Sequence, residues 1–255
     1  MKVIALQSGS DGNCYFVRSG EVRLIFDAGI SGRQAEQRLS ERGEDIRQAN
    51  ALFLTHDHRD HSKSIGIFHR QFELPVYLTR KTWQSVQQHQ QVGRIDDLRF
   101  FRAGEVIPFE HLKIHSIPTP HDGVDGVVYV IEDGQHRLGI LTDLGHVFDG
   151  LREVLQSLDA VILESNYDHH LLSTSDYPEP LKQRIRGHGG HLSNDEAARL
   201  LAESASDRLQ WACLCHLSNQ NNCPDLAFQT HRQQLRETVQ LYIAHRDRAS
   251  EVMEL

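Results

Sequence analysis

The chain has 255 residues, of which 39% are hydrophobic and 24% charged, with a formal net charge of −8. That balance excludes a disordered chain, a collagen-like repeat and a coiled coil, and it leaves enough apolar residues for a large core. Binding nucleic acid through bulk charge needs a basic chain, so an anionic partner here requires a local patch or bound cations.

Short apolar runs at Val3–Leu6, Cys14–Val17, Val22–Phe26 and Ala51–Leu54 predict strands, the first two joined across the polar loop Ser8–Asn13. Gly32–Arg42 reads as a helix, as does His61–Phe72, which Pro75 ends. Val76–Leu78 is a short strand before a Thr79–Gln90 helix. A second strand-rich block follows at Leu112–Ile117, Val127–Glu132 and Arg137–Leu141, with Asp133-Gly134 as a turn between the last two. Phe148–Ser157 reads as helical and Ala160–Leu163 as a buried strand. Beyond Glu164 a helix opens at Pro178 and ends near Gly187. Ser193-Asn194-Asp195-Glu196 is a capping box for a helix to about Ser204. Leu209–Leu214 is a strand, Pro224 starts a helix to about Glu237, and Val239–Ala244 is the last strand before the end of the chain. Two strand blocks, each followed by helices and with no linker between them, predict one domain over residues 1–255, two sheets packed together with helices outside.

Four cysteines among 255 residues are no disulfide framework. Cys213 and Cys215 lie two apart on one strand and point the same way. Reduced thiols in the cytoplasm are the expectation. Met1–Leu6 is too short for a signal peptide, and no apolar run spans a membrane.

Seventeen histidines are the unusual count. Thr55-His56-Asp57-His58-Arg59-Asp60-His61 directly follows a buried strand. His56 and His58 are two apart, so in extended chain both project to one side. Asp60 and His61 follow where the chain turns into a helix and can face a neighbouring point. Imidazole with carboxylate suits zinc, manganese or iron. His121, Asp143 and His216 each come after a later strand and complete a set large enough for two ions. Two divalent ions can share a water, lower its pKa to about 7 and neutralise charge on a phosphate. They also add about +4 locally to an acidic chain. Asp60 and Asp143 are then catalytic as well as ligating, with Asp60 orienting the hydroxide.

The order His-x-His-x-Asp-His, His, Asp, His, with Phe26-Asp27-Ala28-Gly29 before it, resembles the metallo-β-lactamase superfamily over nearly the whole chain. The resemblance implies an α/β fold, an αββα sandwich of two mixed sheets, with two divalent metal ions at one edge. It places His56, His58 and His121 on the first ion, Asp60, His61 and His216 on the second, and Asp143 between them. Ser8-Gly9-Ser10 with Gly12-Asn13, Glu164–Asp168, Leu181-Lys182-x-Arg184-Ile185, Gly190–Asn194 and His216-Leu217-Ser218 are similar to the YycJ/WalJ-like subgroup. That subgroup implies exonuclease action on DNA. Cys14, and Asp57 with Arg59, depart from its pattern at positions that are not ligands.

His191 lies in a Gly-rich loop before a capped helix, where it can bind phosphate or protonate a leaving oxygen. Ser193 is expected as the helix cap, with a substrate contact as the alternative. Lys182, Arg184 and Arg186 form the local basic patch for a nucleic-acid backbone, with Lys182 and Arg186 on one helix face. Asp27 is expected to support the metal ligands by hydrogen bonds, and Glu164 and Asn166 to do the same or to line the cleft. The function expected is a dinuclear metal-dependent phosphodiesterase, a DNA exonuclease. The competing reading is a small-molecule metallo-hydrolase acting on a cyclic phosphodiester or a thioester, which the acidic charge favours. A metal-bound structural module is the third.

Overall fold

The computed structural model describes residues 1–255. Its fourteen strands form two seven-stranded sheets. The first has the order β14-β1-β2-β3-β4-β5-β6. Its strands are β1 (Lys2–Gln7), β2 (Cys14–Ser19), β3 (Val22–Phe26), β4 (Ala51–Phe53), β5 (Val76–Thr79), β6 (Leu98–Phe101) and β14 (Met253–Glu254). The second runs β13-β12-β11-β10-β9-β8-β7. It holds β7 (Val106–Phe109), β8 (Leu112–Pro118), β9 (Val127–Glu132), β10 (Arg137–Leu141), β11 (Ala160–Glu164), β12 (Trp211–Cys215) and β13 (Gln240–Ile243). Both sheets are mixed: β1, β2 and β3 pair antiparallel and β3 to β6 parallel, while β7 to β10 pair antiparallel and β10 to β13 parallel.

The alternation along each strand explains the layering. Tyr15, Leu24, Phe26, Phe53, Tyr129, Ile131, Ile140 and Ile162 meet in the core between the sheets. The opposite faces are equally apolar, because helices cover them. Phe16, Ile25 and Leu52 pack under α1 (Gly32–Ser40), α3 (Ile65–Phe72) and α4 (Arg80–His89). Val130, Val161 and Leu163 pack under α5 (Leu151–Gln156) and α8 (Asn194–Ser204). The result is the αββα sandwich expected. Cys213 and Cys215 both face the core between the sheets, and all four cysteines are free. No helix is long and apolar enough to cross a membrane.

Three expectations change. The single helix read over His61–Phe72 is two, α2 (Arg59–Ser62) and α3, because Ser64 leaves helical geometry and its N–H donates to Ala28 O. Val239–Ala244 does not contain the last strand. The chain continues to β14, which pairs with β1 and accepts the Trp211 indole N–H at Glu254 O, 2.8 Å away. Strands β6 and β7 had no clear apolar signal. The remaining helices are α6 (His169–Thr174), α7 (Glu179–Arg186) and α9 (Pro224–Arg232).

Candidate metal centre

The site collects loops that leave β1, β3, β4, β8, β10, β11 and β12, most of them at the carboxyl ends of parallel strands, where α/β sheets expose side chains around a cleft. Asp27, Asp143 and His216 follow β3, β10 and β12, and each has a left-handed backbone, with φ of 63°, 53° and 56°. A non-glycine residue pays about 1–3 kcal/mol for such strain, which persists where the surroundings over-determine it. Gly29 is required by close approach: a Cβ there would lie 1.6 Å from the Asp60 carbonyl.

The histidines of the first set are oriented one by one. Thr55 Oγ1 donates to Asp27 and in turn accepts from His56 Nδ1 at 2.9 Å. His58 Nε2 faces Asp122 Oδ1 at 3.3 Å. His121 Nδ1 donates to Gly190 O at 2.8 Å. The bonds at His56 and His121 fix the tautomer, and the carboxylate beside His58 favours the proton on Nε2, so the other nitrogen of each ring is left bare. Those nitrogens converge, all within 4.8 Å, and His56 Nε2 is buried without a hydrogen-bond partner. His58 Nδ1 and His121 Nε2 are 3.2 Å apart. Two imidazole nitrogens on one tetrahedral zinc would be about 3.3 Å apart. Burial, with the neighbouring His61, holds His56 well below the usual imidazole range, and burial with His121 lowers His58. Both are therefore neutral, as ligands must be.

The second set is Asp60, His61 and His216. His61 is fully buried and donates from Nδ1 to Asp27 Oδ2 at 2.7 Å, which leaves Nε2 for the cluster. His216 Nε2 stands 3.4 Å from Asp60 Oδ2. Asp143 reaches both sets: Oδ2 lies 3.1 Å from His61 Nε2 and Oδ1 3.6 Å from His121 Nε2. Burial raises these carboxyls, but the imidazoles outweigh it. His61 and His216 hold Asp60 at about 2, and His216 and His61 hold Asp143 well below the carboxylate range. Conversely, burial lowers His216, but Asp143 and Asp60 lift it to about 10. His61 is raised in the same way, so a divalent cation entering the cluster would displace the protons of these two imidazoles and meet nitrogens and ionised oxygens that suit a hard-to-borderline ion.

His191 joins the cluster from the loop before α8. Its Nδ1 is 2.6 Å from Glu164 Oε1 and its ring centroid 4.9 Å from that of His121. Glu164 is fully buried at the end of β11. It also accepts from the N–H groups of Leu144 and Leu192, at 3.0 and 3.2 Å. Burial works against its charge, but His191 holds it at about 2. Asn166 donates to His216 O at 2.7 Å and so braces the β12 loop. Asp27 serves His56 and His61 together.

The structure does not bring Lys182 or Ser193 into the cleft. Lys182 is buried and spends its ammonium on Ser173 O at the end of α6. Ser193 is buried as the cap of α8, paired with Glu196. Arg186 is exposed on α7. Sequence reasoning missed two contributors as site residues: Asp122 and Asn13. Asn13 Nδ2 lies 2.9 Å from His61 Nε2. An acid next to His121 was the available signal for the first.

A family model, the beta-lactamase superfamily domain, matches residues 22–213. A protein named exodeoxyribonuclease YycJ from Bacillus anthracis is 33% identical over 91% of this chain and 88% of its own length. One named exodeoxyribonuclease WalJ from Streptococcus pneumoniae is 31% identical over 92% and 88%. The crystal structure of the metallo-beta-lactamase fold protein YhfI from Bacillus subtilis covers both chains fully, with a TM-score of 0.74 and 18% identity.

Proposed function

This chain belongs to the metallo-β-lactamase superfamily and is one of its metal-dependent hydrolases, and from that membership we propose that it is an exonuclease acting on DNA. One observation carries the chemistry: the Asp143 carboxylate lies between two converging donor sets, with a His–Glu pair beside them. The DNA substrate is carried over from the names of the two relatives that match about nine-tenths of the chain.

In this reading residues 1–255 act as one catalytic domain. His56, His58 and His121 would hold one ion, Asp60, His61 and His216 a second, and Asp143 would serve both. Zinc, manganese and iron all suit these donors. Such ions would supply a water of lowered pKa, about 7, and neutralise charge on the phosphate. The chain supplies the rest. Asp60 accepts a hydrogen bond from the attacking water and sets its line of approach. His191 has no protein partner at Nε2, so that atom can give its proton to the leaving oxygen. Glu164 keeps Nδ1–H in place and stabilises the imidazolium before transfer. Asp27, Asn166 and Asp122 keep the ligand rings aimed.

The net charge of −8 favours a second reading, a small-molecule phosphodiesterase or thioesterase using the same site. Competition separates the two. Manganese-loaded protein is given a DNA oligonucleotide, a cyclic nucleotide and a glutathione thioester, and kcat/KM is compared. The proposal expects DNA to exceed the others by orders of magnitude; a cyclic nucleotide or thioester in first place overturns it.

A further inference from the structure

Of the three basic residues read from the sequence on α7, Lys182 is turned inward and Arg184 reaches the rim of the metal centre. Arg184, also on α7, meets Asp122 with two parallel bonds, Nε to Oδ2 at 2.7 Å and Nη2 to Oδ1 at 3.0 Å. Asp122 Oδ1 in turn faces His58 Nε2 at 3.3 Å and His121 Nε2 at 3.5 Å. Among the carboxylates of the site, Asp60, Asp122, Asp143 and Glu164, this is the one ion pair with Lys or Arg. The loop carrying Asp122 is tied to the loop after α7 through Asp122 N and Gly189 O, 3.0 Å apart. The guanidinium is thus held along one edge by a carboxylate whose own loop is braced. Half of the side chain is exposed, and Nη1 has no protein partner.

We propose that Arg184, held in orientation by Asp122, binds a nonbridging oxygen of a substrate phosphodiester beside the first donor set. Asp122 occupies the Nε–Nη2 edge of the guanidinium. The other edge, through Nη1, remains a forked donor of the shape that two phosphate oxygens accept. A long side chain already fixed in place loses little further freedom when it binds, so the clamp makes the contact stronger than a free surface arginine would. A positive arm is also what a cleft lined by four carboxylates needs to admit an anion. The proposal rests on the phosphodiesterase reading above.

The test compares wild type, Arg184→Ala and Arg184→Lys, each loaded with manganese. Binding of a short fluorescent single-stranded DNA is followed by anisotropy across a salt series. Metal content, DNA cleavage and the KM for bis(p-nitrophenyl) phosphate are measured on the same preparations. Arg184→Ala is expected to weaken binding roughly ten- to a hundredfold, the loss of a charge-assisted bond. It should also lower the slope of log affinity against log salt by about one, since one phosphate contact is gone. Lysine should restore part of the affinity, because charge returns and the fork does not. Metal content should stay at the wild-type level, which separates phosphate binding from support of His58. Affinity and slope equal to wild type overturn the proposal, as does an equal loss of metal and binding. Wild type that leaves DNA uncut sinks the nuclease reading instead. The KM for the small diester then decides Arg184: a similar rise upholds it, and no change refutes it.

Discussion

Three histidines of this site are aimed at one point by what their other nitrogens touch. Asp122 is the partner of His58, so Asp122→Ala should weaken the first ion roughly ten- to a hundredfold while the protein stays folded. Metal titration of the stripped protein reads this directly; unchanged affinity would remove Asp122 from that role. Glu164 and His191 make the complementary case. His191→Ala and Glu164→Gln should each cut kcat by two or more orders of magnitude and leave two metal equivalents bound. Metal lost in step with turnover would make the pair a support of the ions. The His-x-His-x-Asp-His run was legible because every potential ligand follows a strand at a spacing chemistry requires. Asp122 was harder to read. It is one acid among 35 Asp and Glu residues, and its role appears when loops distant in sequence meet. Lys182 misled for the converse reason: helical spacing places it correctly along α7 but says nothing of Ser173 O nearby.

Elements were legible in proportion to their burial. Strands β3, β9, β10 and β11 are apolar on both faces and stand at or near their expected bounds. The missed strands β6, β7 and β14 are edge strands. Leu98-Arg99-Phe100-Phe101 has two exposed positions, β7 contains Pro108, and β14 has two residues. Edges tolerate charge and proline because one side of their ladder is unpaired, which erases the pattern a reader relies on. Helix α9 makes a separate prediction. His231 is fully buried there, donates from Nδ1 to Ala227 O, and has no partner at Nε2. Burial lowers it from 6.5 to about 4. A lowered histidine binds fewer protons folded than unfolded, so stability is complete above the unfolded value and falls as pH drops from 6.5 towards 4. The loss between about pH 7 and about pH 5 comes to about 2 kcal/mol. Urea unfolding of wild type and His231→Gln at both pH values isolates it, since the metal ligands titrate alike in both. Parallel losses in the two proteins would contradict the assignment.

Across the whole molecule the two sheets share one core, and their loops close around one cluster of histidines and carboxylates. Ions that bind this cluster and not the unfolded chain must stabilise the fold. At a thousandfold excess over Kd the gain is about 4 kcal/mol. In a chain of this size that corresponds to a Tm higher by roughly 10 °C. Chelation should reverse it, and an unaltered Tm would show that the cluster holds no ion. The sandwich itself hosts many reactions, so the proposed substrate rests on the site and on relatives 31–33% identical over about nine-tenths of the chain. End-labelled double-stranded DNA, incubated with manganese-loaded protein and with Asp143→Ala, therefore bears on substrate and chemistry together. Products resolved over time should shorten progressively from one end with wild type and stay full length with the variant. Intact DNA with wild type, or equal degradation by both proteins, would contradict a DNA exonuclease built on Asp143.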